Sequence, residues 1–140
     1  MERFFFTAAS IIAFLGVALG AFAAHSLKSR LTPDMLDIFE VGVRYQMYHA
    51  VGLFVVAWAS SRWPESNFNP AGWSFIVGII IFSGSLYLLS LTGIRWLGAI
   101  TPAGGIAFLI GGWSGLVVGF ALFGSLTYLP LFQQVVHGLS

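Results

Sequence analysis

The sequence contains no cysteine. That excludes disulfides, thiolate-bound zinc and iron–sulfur clusters. Charge is the second shortage. Only 8% of the 140 residues are Asp, Glu, Lys or Arg, against about 25% in a soluble domain. A soluble protein of this size could not cover its surface with so few charges, whereas a chain bathed in lipid has no such need. An excess of one sign is also missing. Six Lys and Arg face five Asp and Glu, for a net charge of +1, with no basic run or stripe, so no nucleic-acid partner is expected. No P-loop or Rossmann glycine pattern occurs. No carboxylate falls inside an apolar span, and no Ser-His-Asp set can share one membrane depth. No enzymatic activity, metal or cofactor is therefore expected.

What is present is apolar sequence, 58% of the chain. It divides into four runs, each near the roughly 20 residues that a membrane-crossing helix needs. The expected fold is all-α: an integral membrane four-helix bundle forming a single domain over residues 1–140. Spans are expected at about 4–24, 45–61, 71–91 and 102–126. The first run carries a signal-peptide-like Ala21-Phe22-Ala23, but it is longer than a usual signal core and is expected to be retained.

Between spans one and two, Thr32-Pro33-Asp34 reads as a helix start. Thr suits the cap, Pro the first helical position and Asp the positive end of the dipole. Asp34, Asp37, Glu40 and Arg44 then alternate in angle with Met35, Leu36, Phe39 and Val43. This predicts an amphipathic interfacial helix over about 33–44. A single straight helix from Pro33 to Ser61 would overrun a hydrocarbon core of about 30 Å, so a bend near Gly42 is expected. Thr101-Pro102 repeats the same start at span four. The tail, Thr127–Ser140, is too short to span again.

Lys28, Arg30, Arg44 and Arg95 flank one set of span ends, and Arg3 and Arg62 the other. This bias places the former loops in the cytoplasm and the termini outside it.

Two kinds of constellation stand out. Gly16, Gly20 and Ala24, and then Ala107, Gly111, Gly115 and Gly119, recur at intervals of four. Small residues on one helix face permit close backbone approach, either within the bundle or against a second copy. The second constellation is polar: His25, Tyr45, Gln46 and His49, with Ser83 and Ser85 in span three. Polar groups in lipid must be satisfied. The four on spans one and two are expected to converge near one membrane boundary, as structural hydrogen bonding or as a site handling a ligand or a proton. The serines are expected to bond back to their own helix or to line a polar notch.

Four segments together carry a resemblance: Gly20-Ala21-Phe22-Ala23-Ala24-His25, Gly42-Val43-Arg44-Tyr45-Gln46-Met47-Tyr48-His49-Ala50, Phe82-Ser83-Gly84-Ser85-Leu86-Tyr87, and Ile100-Thr101-Pro102-Ala103-Gly104-Gly105. The chain resembles, over roughly residues 1–125, the small membrane proteins of domain of unknown function 423, which include bacterial inner-membrane proteins and the animal transmembrane protein 256 group. Ala23 and Val41 stand where that resemblance leads one to expect glycine and threonine. It implies a four-span fold in the bacterial plasma membrane and no particular activity. Two functions follow as expectations. One is a non-enzymatic bundle that self-associates or joins a larger membrane complex, with lipids as its other partners. The other is a channel, carrier or binding protein for a small or lipid-like molecule, using the polar cluster.

Overall fold

The computed structural model describes residues 1–118, and every regular element among them is helical. Helix α1 spans Glu2–Phe22 and widens into a π-turn over Ala23–Leu27. Helix α2 spans Pro33–Arg62 and α3 spans Asn69–Thr92. A 3-10 turn over Arg95–Ala99 leads into α4, residues 101–118. The expected positions Gly119 to Ser140 lie outside the described residues.

Three stretches are long and apolar enough to cross a membrane: Glu2–Leu27, Asn69–Thr92 and Arg95–Val118. Helix α2 is not among them, so four spans are a coarser match than expected: four helices, three of them able to span by composition. The reason is local. Asp34, Asp37, Glu40 and Arg44 crowd the first third of α2, and Tyr45, Gln46, Tyr48 and His49 keep the remainder too polar to qualify. The stretch expected as a surface helix over 33–44 is not a separate element. Residues Pro33–Arg62 form one uninterrupted 30-residue helix, about 45 Å long at about 1.5 Å per residue.

Its start is set as the sequence suggests. Thr32 has extended backbone, its Oγ1 accepts from the Met35 N–H at 3.4 Å, and Pro33 follows. Helix α3 ends on Gly93, whose φ of +72° lies in the left-handed region. Its N–H donates to the Leu89 carbonyl at 2.8 Å, and glycine adopts that conformation without Cβ strain.

Consecutive helices run antiparallel. On α1 and α2, Gly16 faces Met47 and Gly20 faces Val43. On α2 and α3, Gly42 faces Tyr87 while Gly52 faces Phe75. On α3 and α4, Gly104 faces Phe82 and Gly111 faces Phe75. The core repeats one device, a large ring seated over a glycine of the neighbouring helix. Phe5 sits on Gly72, Tyr87 on Gly42 and Phe108 on Gly78. Phe5, Leu53, Val56, Ala71, Ile79 and Phe108 form the main buried cluster, and Ala23, Leu27 and Phe39 a second one towards the π-turn. Outward, large apolar side chains stand bare; Leu109 is 74% exposed and Phe14 73%. In water such a surface would aggregate, whereas lipid tails solvate it.

Candidate functional site

The polar residues occupy the middle of the helix interfaces, where a backbone already satisfied by its own helix leaves side chains free to bond across. Gln46 is 5% exposed. Its Nε2 donates to the Ile12 carbonyl of α1 at 2.8 Å, and its Oε1 accepts from the Tyr87 hydroxyl of α3 at 2.8 Å. One amide thus joins three helices. Ser83 is buried and donates to the Gly42 carbonyl of α2 at 2.8 Å. The absence of a side chain at Gly42 lets the Tyr87 ring approach there as well. Ser85 lies 2.9 Å from the Phe82 carbonyl and 2.8 Å from the Thr101 hydroxyl. A carbonyl can only accept, so the Ser85 proton goes to Phe82 and Thr101 donates to Ser85. That bond ties α3 to the start of α4.

Tyr45 and His49 belong to a different environment. His49 Nδ1 lies 2.8 Å from the Tyr45 carbonyl, so Nδ1 carries the hydrogen. Its ring stacks on Phe108 of α4 at 3.4 Å between centroids and 8° between planes, with Phe75 edge-on at 5.4 Å. Tyr45 packs on Phe82 at 4.6 Å. Although Gln46 and His49 are three residues apart, Gln46 points between α1 and α3 while His49 points to α4.

His25 is not brought to the others. It is exposed within the π-turn, whose neighbours Ala23 and Leu27 pack with Phe39. His49 lies about ten residues further along α2 than Phe39, on the order of 15 Å at about 1.5 Å per residue. The expected four-residue convergence is therefore a Gln46–Tyr87 junction, a Tyr45–His49 aromatic stack and a remote His25. The physical reason is the continuity of α2. As the first turns of one helix, Phe39 and Val43 pack along the end of α1, which carries the level of His25 away from that of His49.

The small-residue positions also divide. A Cβ on Gly16 would lie 2.5 Å from Met47 Sδ, and one on Gly111 would lie 2.6 Å from the Phe75 ring. Gly20 has ordinary contact with Val43 at 3.5 Å. Ala24 is exposed. Gly115 has nothing within 4 Å, and neither does Gly112.

Among the described residues, no buried side-chain nitrogen or oxygen lacks a hydrogen-bond partner. No group of three or more His, Asp or Glu there is placed to hold a metal. Chemically, the arrangement fastens helices together. Two residues central to it, Phe108 and Thr101, were not singled out as site residues. Tyr87 was signalled by the Ser-Gly-Ser-Leu-Tyr segment; Phe108 carried no signal beyond being one apolar residue among many.

Comparison with known proteins gives a consistent picture. A family model described as "Protein of unknown function (DUF423)" matches residues 19–105. The UPF0382 membrane protein YwdK of Bacillus subtilis (strain 168) is 47% identical over 117 residues, covering 83% of this chain and 94% of that protein. The UPF0382 membrane protein SH2409 of Staphylococcus haemolyticus is 42% identical over 116 residues, covering 83% of this chain and 93% of its own. No solved structure matches.

Proposed function

The chain belongs to the DUF423 family of membrane proteins, and from that premise we propose that it is a non-enzymatic helix bundle that self-associates or braces a larger complex in the bacterial plasma membrane. The observation that carries this reading is the internal use of polarity. Gln46, Tyr87, Ser83, Ser85 and Thr101 bond to one another or to backbone across helix boundaries. A ligand clamp or ion path would leave some of those groups free. In this reading α2 is the fourth crossing, flanked by α1 and α3, and the loops with the Lys and Arg excess face the cytoplasm.

Self-association is supported by the face of α4 turned away from the other described helices. Gly112 and Gly115 have open space over them, between Leu109, Trp113 and Leu116, all at least half exposed. Small residues flanked by large ones are how lipid-embedded helices approach closely. The test is Gly115→Leu, compared with the unaltered chain by cross-linking in nanodiscs and by mass in mild detergent. The expected result is loss of the oligomer with helical content unchanged. A monodisperse monomer for the unaltered chain under lipid-preserving conditions overturns the self-associating form of the reading.

A further inference from the structure

At the end of the bundle opposite the π-turn, residues of α1 and α2 border an open groove of about 710 Å³. Its size falls in the range of about 300–1,000 Å³ typical of small-ligand sites. Ala57, 4% exposed, contributes to its lining. Phe6, Phe54 and Trp58 also line it, and Phe6 meets Phe54 edge-on at 5.2 Å. The exposed Thr7 lies on the α1 side. Glu2 and Arg3 stand at the same groove, where α1 begins. They are adjacent in sequence, and successive helix residues do not face one another. Each charge is thus presented separately, one negative and one positive, at the end of an apolar slot.

We propose that this groove holds one phospholipid with a zwitterionic, primary-amine headgroup: an acyl chain against Phe6, Phe54 and Trp58, the phosphate at Arg3 and the ammonium at Glu2. The inference rests on the membrane-spanning reading of α1 and is independent of self-association. The occupant follows from charge complementarity. An anionic headgroup would satisfy Arg3 but meet Glu2 with the same sign. A choline headgroup has the right charges, but its quaternary nitrogen has no hydrogen to donate to a carboxylate. A primary ammonium has three donors. The aromatic lining suits the boundary level, where Trp is enriched because its ring is amphipathic.

The test uses the full-length protein in nanodiscs made from equal parts of dioleoyl phosphatidylethanolamine, phosphatidylcholine and phosphatidylglycerol, released into a native mass spectrometer. The expected result is one retained phosphatidylethanolamine per chain, enriched on the order of threefold, as an exposed ion pair supports. Glu2→Gln should remove the preference for the ethanolamine over the choline lipid. Thr7→Trp, which fills the groove from an exposed position, should lower retention of all three lipids. Equal retention of the three lipids overturns the proposal, as does enrichment of phosphatidylglycerol or an unchanged preference in Glu2→Gln. If Thr7→Trp misfolds, the Glu2→Gln comparison decides alone.

Discussion

At the scale of single residues, Gln46 is the most connected polar group. It uses both ends of its amide, on Ile12 and on Tyr87, so its removal leaves the Tyr87 hydroxyl without its partner and the Ile12 carbonyl with only the bond of its own helix. Gln46→Leu should lower stability by about 1–2 kcal/mol, the size of an interhelical hydrogen bond in model membrane peptides. Tyr87→Phe should cost less, because the Gln46 oxygen alone loses its partner. A double-mutant cycle in a detergent-unfolding titration measures the coupling between the two; additive effects would mean that the bond contributes nothing. His49 contrasts with this. Its contribution is the stack on Phe108, a contact between α2 and α4 that is long in sequence. Such a contact leaves no mark in local spacing, which is why the sequence placed His49 with Gln46 and not with Phe108.

At the scale of elements, the same dipeptide has two fates. Thr32 caps its own helix through the Met35 N–H. Thr101, also followed by proline, instead turns its hydroxyl to Ser85 of α3. The first role is local and was legible; the second depends on how α4 docks and was not. Docking is also what Gly104 serves. A Cβ there would collide with the Phe82 backbone nitrogen and lie 2.8 Å from Phe82 Cα, and backbone cannot swing aside as a side chain can. Gly104→Ala should therefore push α4 off α3 and lower the thermal midpoint clearly, while Gly112→Ala, with nothing within 4 Å, should leave it in place. The pair can be read by circular dichroism melting. Equal midpoints would contradict the α3–α4 packing. The stripe of small residues was visible in sequence, but periodicity could not sort its members into those pressed against Phe75 or Met47 and those left open.

At the scale of the whole molecule, four antiparallel helices bring residue 118 back to the end of the bundle where α1 starts. If α2 is the fourth crossing and the Lys and Arg bias sets the orientation as proposed, a reporter that works only outside the cytoplasm should be active in the 63–68 loop and inactive in the 28–31 loop. The reverse pattern would overturn the proposed orientation. All-helical architecture and membrane residence were legible because composition alone imposes them. The continuity of α2 was not, because the thickness of a bilayer does not fix where a helix that enters it must stop.

If α2 crosses as proposed, a helix of about 45 Å in a hydrocarbon slab of about 30 Å leaves an acidic stub, Asp34 to Glu40, outside the hydrocarbon like a post above a floor. With Arg62 level with one face of the slab, Asp34 stands roughly 12 Å beyond the other and Glu40 only about 3 Å, within the headgroup layer that adds about 5–8 Å per side. Asp34, at the tip, would then be the first of these carboxylates to meet cationic groups on soluble or neighbouring proteins, while Glu40 shares its level with the lipid headgroups. Arg44, 18 residues or about 27 Å from Arg62, already marks the edge of such a slab, so a thicker bilayer would bring Glu40 towards hydrocarbon. The height of α2 thereby sets an upper limit on the membrane thickness in which the bundle sits without strain.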